Sequence, residues 1–253
     1  MLYLIGIGLK PSHLTIEALD AINECTQVFL DEYTSHYSEG PSTELAQIIK
    51  RDVIGLGRKE VEEGFLSALL AAKNNNIALL VFGNPLTATT HIQLLIDAKE
   101  NGVKVKVILG ISITNTIAET GLDEYKFGRT ATICFHSEGY EPEGFYDQIK
   151  ENLSIGLHTL CLLDIKREGK QTRMMNCIEA IEVLEKIAQK RGEILGFEYI
   201  GMLGMASEKQ KILFSKEKIY AYKEINDIYP QSIIVIGNKN EKEKEALEKL
   251  HNS

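Results

Sequence analysis

Cysteine is scarce in this 253-residue sequence: there are four, at positions 25, 134, 161 and 177, with no C-x-x-C pair and no regular spacing. That excludes a disulfide framework, and because each thiol sits in or beside an apolar run it is expected to act as a small hydrophobe in a reducing, cytoplasmic compartment. Positive charge is short as well. The 28 Lys and Arg against 36 Asp and Glu leave a formal charge of -8, so there is no cation surplus for direct binding of nucleic acid or an anionic membrane. The five prolines and 20 aperiodic glycines exclude a collagen-like or low-complexity chain. Long apolar runs are missing too: the opening Met1–Leu9 lacks a basic flank and stops at Lys10-Pro11, so neither a signal peptide nor a membrane span is expected.

Familiar catalytic signatures are also absent. The histidines at 13, 36, 91, 136, 158 and 251 are scattered, with no H-E-x-x-H, so no metal site is expected. No G-x-S-x-G nucleophile elbow, Walker loop or G-x-G-x-x-G fingerprint occurs.

What remains is an ordinary globular composition, 44% hydrophobic and 25% charged, with length for about one or two domains. Short apolar runs alternate with segments of helical period, the pattern of parallel strands under crossover helices, hence an α/β fold. Strands are predicted near 2–7, 26–31, 77–82 and 104–109, with a weak one near 53–56, and helices near 15–24, 42–50, 59–73 and 88–100. Thr15, Ser42 and Thr89-Thr90 mark helix starts; Asn101-Gly102 and Asn74-Asn75-Asn76 mark ends. A short helix is expected from Ser112 through Thr120, after which the alternation restarts, giving domains 1–111 and 112–253. The second half predicts strands near 130–135, 158–164, 198–204 and 232–236, helices near 145–154, 174–190 and 239–251, and a hairpin near 210–221. The charged tail Glu241–Glu245 reads as a solvated helix face.

Ligands of parallel sheets bind beyond the carboxyl ends of the strands, which directs attention to three turns. Gly6-Ile7-Gly8-Leu9 follows the first strand, where glycines permit close backbone approach or simply a tight turn. Gly83-Asn84-Pro85-Leu86-Thr87-Ala88-Thr89-Thr90-His91 joins a buried strand to a helix start, and its hydroxyls either line a pocket mouth or cap the helix. Gly110-Ile111-Ser112-Ile113-Thr114-Asn115 lies at the domain boundary, as a cleft wall or a capped helix start. His91 reads as a packing residue before a catalyst; Asp164, ending an apolar run, reads equally as a site carboxylate or a cap, and Met174-Met175 as core.

These turns, together with Gly156-Leu157-His158-Thr159-Leu160-Cys161-Leu162-Leu163-Asp164-Ile165-Lys166 and Thr120–Gly128, resemble the diphthine synthases of the archaeal and eukaryotic type, within the tetrapyrrole-methylase-like (class III) methyltransferases. The likeness runs in order from Met1 to about Gly237. It implies two α/β domains with an interdomain cleft, a cytoplasmic homodimer, and S-adenosyl-L-methionine folded in that cleft. It implies as substrate the aminocarboxypropyl-modified histidine of translation elongation factor 2, methylated repeatedly on its amine in diphthamide biosynthesis, with no direct nucleic-acid or membrane partner. By position the cofactor contacts fall on Leu9, Asn84, Thr87, Ser112, Ile113, Leu163, Ala206 and Gln231. Asn84 departs from the Asp usual in the family, and Gln231 from its frequent His.

A sulfonium methyl is already electrophilic, so transfer to an amine demands mainly alignment, and no catalytic residue is assigned. The loops 33–42 and 136–144 would rim the cleft, with Glu138, Glu141 and Glu143 as possible contacts to a basic partner surface. Two alternatives remain open: a methyltransferase of the same fold acting on a tetrapyrrole or other small molecule, and a catalytically weak cofactor-binding regulatory module.

Overall fold

The computed structural model describes residues 1–40, 42–168 and 171–251, and these divide into two compact units, Met1–Ile113 and Thr114–Ser253. In the first unit the apolar runs become β1 (Leu2–Gly6), β2 (Gln27–Asp31), β3 (Ile54–Leu56), β4 (Ile77–Val81) and β5 (Val105–Ile108). All pair in parallel, in the order β3-β2-β4-β1-β5. β1 and β4 are buried on both faces, which is why they read as continuous apolar runs.

Successive residues of a strand serve opposite layers. Tyr3, Ile5, Ala78 and Leu80 pack with Ala18 and Ile22 of α1 (Ile16–Asn23) and Leu45 of α2 (Ser42–Ile49). Leu2, Leu4, Leu79 and Val81 pack with Val61 of α3 (Arg58–Glu62), Leu69 of α4 (Leu66–Ala71) and Leu94 and Ala98 of α5 (Ile92–Glu100). Thr15 caps α1 by accepting from Ala18 N, a contact of about 1 kcal/mol, and Gly102 ends the α5 segment at φ +66°.

Three helix expectations need correction. The run 59–73 is two short helices, interrupted at Glu63-Gly64, where glycine's low helix propensity coincides with the end of α3. The helix predicted from 88 begins only at Ile92, because Ala88 is held at φ +54° and Thr89 Oγ1 turns back to Pro85 O (2.9 Å) instead of capping. The segment 112–120 forms two 3-10 turns, Ile113–Asn115 and Ile117–Thr120, the second closed by left-handed Gly121.

The second unit contains β6 (Ala131–Ile133), α6 (Gly144–Ser154), β7 (Thr159–Leu163), β8 (Ile165–Glu168), β9 (Gln171–Met174) and α7 (Cys177–Lys190). It continues with β10 (Glu198–Leu203), β11 (Lys211–Phe214), α8 (Lys216–Ala221), β12 (Gln231–Ile236) and α9 (Glu241–His251). Its sheet, β11-β10-β12-β7-β6, is parallel only between β6 and β7 and antiparallel elsewhere, so the uniform alternation read along the chain does not carry over. The hairpin expected at 210–221 is instead β11, paired with β10, followed by α8, whose Ile219 is fully buried. The β8–β9 hairpin was not anticipated: its short polar strands carry no apolar signal. α7 starts at Cys177 behind a reciprocal capping box between Asn176 and Glu179, and Met175 is core as expected.

Cys25, Cys161 and Cys177 are buried and all four thiols are free; burial pushes Cys25 up to about 11 and raises the other buried pair as well. Among the described residues no helix is long and apolar enough to cross a membrane.

Candidate functional site

The three turns singled out in the sequence meet at the carboxyl edge of the first sheet, because β4, β1 and β5 are adjacent strands. Their contact is backbone on backbone. A Cβ on Gly6 would lie 2.6 Å from both Gly110 N and Gly83 O, and one on Gly110 would collide with Gly83 O. Gly83 N donates to Gly8 O (2.8 Å) and Gly8 N to Gly83 O (3.2 Å), stitching the first two turns together. Gly83 itself is required for its φ of +71° rather than for room, since a Cβ there meets nothing closer than 3.8 Å.

Around this seam stand five of the eight predicted cofactor residues. Leu9 is half-buried; its N–H faces His13 Nδ1 (3.3 Å), and its carbonyl accepts from Ser38 N (2.9 Å) and Ser38 Oγ (2.8 Å). Burial lowers the pKa of His13, with Lys10 adding to the effect, which keeps Nδ1 an acceptor. Asn84 Oδ1 accepts from Leu86 N (3.1 Å) and closes the turn, while Nδ2 makes a long contact of 3.4 Å to Gly110 O. Thr87 is half-buried, with its N–H on Asn84 O (3.3 Å); Ser112 is buried and Ile113 half-buried. Pro41, in the loop 33–42 predicted as a rim, lies outside the described residues; Tyr37 and Ser38 of that loop fold back onto Phe82 and Leu9.

The other three residues gather in the second unit, where the carboxyl ends of β7 and β10 flank the start of β12. Leu163 is buried at the end of β7. Ala206 takes a left-handed φ of +68°, with its N–H on Gln210 Oε1 (2.6 Å). The Gln231 side chain is spent internally: Oε1 accepts from Cys177 N (2.8 Å) and Nε2 donates to Ile225 O and Ile228 O. At the neighbouring end of β6, Asp164 Oδ2 accepts from Phe135 N (3.0 Å), so the carboxylate ties the segment after β6 to the end of β7 rather than capping the turn that follows it.

Two further expectations change. Glu141 and Glu143 of the loop 136–144 are engaged inside the unit, Glu141 with Lys186 (2.7 Å) and Glu143 with Lys190 and Arg191 (2.7 Å each), so a partner could use them only by breaking these pairs. In the charged tail Glu243 is 2% exposed and central to a buried cluster, whereas Lys242–Glu245 and Lys244–Glu241 form the expected solvated pairs.

His91 is not placed to abstract a proton from a ligand. It is 1% exposed; Nδ1 lies 3.0 Å from Pro85 O and Nε2 3.0 Å from Asp31 Oδ2. A carbonyl only accepts, so Nδ1 carries a proton and donates. The Nε2 contact is close but too poorly aligned to be a hydrogen bond. Asp31, fully buried at the end of β2, escaped the sequence reading although an acid closing an apolar run, Gln27-Val28-Phe29-Leu30-Asp31, is the signal that drew attention to Asp164.

The sequence pattern of the family described as Tetrapyrrole (Corrin/Porphyrin) Methylases matches residues 1–213. The chain is 33% identical to the diphthine synthase of Methanocaldococcus jannaschii, over 99% of this chain and 98% of that protein. It is 42% identical to the diphthine methyl ester synthase of Candida glabrata over 66% of this chain, a match that spans only 56% of that relative's length. An Entamoeba histolytica crystal structure, of a protein provisionally named diphthine synthase, superposes with a TM-score of 0.85 at 32% identity, covering 98% of this chain and 96% of that one. With an α/β architecture of two five-stranded sheets and a family match across most of its length, the chain belongs to the tetrapyrrole (corrin/porphyrin) methylase family.

Proposed function

We propose that this chain is a diphthine synthase: a methyltransferase that uses S-adenosyl-L-methionine to methylate, repeatedly, the amine of the aminocarboxypropyl-modified histidine of translation elongation factor 2. The observation that carries the reading is the glycine seam of Gly6, Gly83 and Gly110, which leaves no side chain where three strand-end turns converge. Such a seam suits a ligand read by main-chain groups, and left-handed Ala88 and Ala206 mark backbone held in uncommon conformations at both sets of turns. In this reading Leu9, Asn84, Thr87, Ser112 and Ile113 of the first unit, with Leu163, Ala206 and Gln231 of the second, hold the cofactor, and the protein works as a cytoplasmic homodimer.

When bound, the cofactor supplies a methyl group on a sulfonium, which needs no metal or nucleophilic side chain to activate it. The apolar side chains Leu9, Ile113 and Leu163 would exclude water and hold the uncharged parts of the ligand, while turn N–H and C=O groups would read its polar edges. Alignment is then the chief contribution, on the order of 7–11 kcal/mol in favourable systems. His91 is too enclosed to act as general base, so the amine proton leaves to water between rounds. Of the Gln231 side chain no free donor or acceptor is asked: its contribution is to hold the start of β12 against α7.

The test is methyl transfer from labelled cofactor to elongation factor 2 bearing the aminocarboxypropyl histidine. The expected result is incorporation, with the factor gaining one methylene mass per round. Transfer to a corrin precursor alone, or cofactor binding with no transfer to the factor, overturns the assignment in favour of a small-molecule methyltransferase or a regulatory module respectively.

A further inference from the structure

We infer that His91 is a positioning residue for the turn Gly83–Ala88, with Asp31 as the support that aims its ring; the inference rests on the cofactor reading of that turn. Burying a carboxylate against an imidazole is costly unless both are well supported. Here the support is complete on one side. Asp31 Oδ1 accepts from Tyr33 N (2.9 Å) and Thr34 N (3.2 Å), and Oδ2 from Thr34 Oγ1 (2.8 Å), which fixes the carboxylate to the loop after β2. His91 bridges from it to the Pro85 carbonyl, which also takes Thr89 Oγ1.

The strut has a definite load. Residues 88–91 carry a helical pattern, yet the helix starts at Ile92 and Ala88 sits at φ +54°, a conformation strained for a residue with a Cβ. Such strain persists only where neighbouring contacts over-determine it. Two donors converge on Pro85 O, three residues before Ala88, and one of them, His91, comes from three residues after it. Without that tie Ala88 relaxes into the right-handed region, α5 gains a turn at its N-terminus, and Thr87 and Asn84 leave the edge of the seam.

Two near-isosteric variants of the full chain separate this role from simple packing. In His91→Asn the amide nitrogen stands near the position of Nδ1 and can donate to Pro85 O; in His91→Gln the amide reaches toward Asp31 and leaves Pro85 O without that donor. Calorimetric titration with S-adenosylhomocysteine is expected to show the Asn variant within about threefold of the parent and the Gln variant at least about tenfold weaker, with similar melting temperatures, because both lose the same ring. In ligand-free protein the amides of Leu86 and Thr87 should exchange faster in the Gln variant only. In turnover, KM for the cofactor should rise more than kcat falls. Equal weakening in both variants, tracking their loss of melting temperature, overturns the positioning role while leaving the cofactor reading intact; a parent chain that does not bind S-adenosylhomocysteine overturns both. Should both His91 variants fail to fold, Asp31→Ala removes the carboxylate that aims the ring and offers Nε2 no new donor. Its affinity is expected to fall by about fivefold or more, and an unchanged affinity in the folded variant overturns the inference.

Discussion

Each unit buries a histidine against a carboxylate, His91 with Asp31 in the first and His158 with Glu243 in the second, and the two pairs are wired in opposite senses. His91 gives its Nδ1 proton to a carbonyl in the turn that carries Asn84 and Thr87. His158 receives Gly237 N–H at Nδ1 (2.8 Å) and turns Nε2–H to Glu243 (2.8 Å), which also accepts from Lys126 Nζ (2.6 Å), Asp123 N (2.9 Å) and Asn240 N (2.7 Å). The first pair stands at the carboxyl edge of its sheet, beside the glycine seam; the second lies at the amino end of β7 and clasps α9 to the sheet. A buried histidine and carboxylate thus meet a strand-end turn in one place and dock a helix in the other, and what separates them is the end of the sheet at which they sit.

The largest effect expected is at the seam. Gly110→Ala sets a methyl group against Gly83 O and within 2.8 Å of Gly6 O, with only backbone to yield. Displacing three turns by about an ångström should cost roughly hundredfold in the rate of methyl transfer and weaken S-adenosylhomocysteine binding with it. The corresponding insult to the clasp, Glu243→Ala, leaves His158 and two backbone amides without their acceptor and takes from Lys126 its carboxylate, leaving it the Asn238 carbonyl. It is expected to cost about 3–5 kcal/mol of stability in denaturant titrations while leaving cofactor affinity of the folded protein unchanged. A large affinity loss in Glu243→Ala, or a stability loss without affinity loss in Gly110→Ala, would erase the distinction between the two regions.

The comparison sharpens with pH. The hydrogen bonds of Lys126, Asp123, Asn240 and His158 outweigh burial, which by itself raises the Glu243 pKa, and hold it at about 2 against an ordinary 4.5. Burial lowers the pKa of His158, although Glu243 opposes it, and Lys126 adds to the lowering. Both folded values lie below the unfolded ones. Each group therefore contributes stability that is present above its unfolded value and is lost as pH falls, from about 6.5 for His158 and from 4.5 toward about 2 for Glu243. The melting temperature should decline steadily over that acid range, and Glu243→Gln should flatten the part below 4.5. An identical slope in the variant sinks the assignment of the clasp as the acid-sensitive element.

How much of this was readable beforehand follows from what kind of interaction sets each feature. β1, β4 and the three turns were legible because buried parallel strands leave continuous apolar runs ending in glycine, as in Leu2–Gly6 and Ile77–Gly83. The reversed strands of the second sheet were not, since a run such as Gln231–Ile236 would look the same in either direction; only the partners of Ser232 and Ile233 decide it. The late start of α5 was hidden because Thr89, Thr90 and His91 are compatible with a helical turn, and the side-chain contacts of Thr89 and His91 to Pro85 O show only in the folded turn. Asp31 and Glu243 show the same limit from the side of charge: an acid in a sequence reads as solvated until partners from distant segments are seen to enclose it.

The smallest effect expected is at Asn84, where the family resemblance implies an aspartate instead. Its Oδ1 closes the turn on Leu86 N, which a carboxylate does equally well, whereas its Nδ2 contact to Gly110 O at 3.4 Å is beyond the reach of an aspartate, which has no donor to offer. Asn84→Asp thus trades a long, weak hydrogen bond for a carboxylate oxygen facing a carbonyl across the seam, and in return puts a negative charge near the proposed sulfonium. The two changes oppose each other at about 1 kcal/mol or less apiece, since one bond is weak and the other charge is half-exposed. Affinity for S-adenosylmethionine should shift by no more than about threefold and, because S-adenosylhomocysteine carries no sulfonium, the ratio of the two affinities should move toward the charged ligand. A titration pair in which both ligands weaken equally by tenfold or more would mean that the Nδ2 tie, not the turn closure, is what Asn84 contributes to this edge.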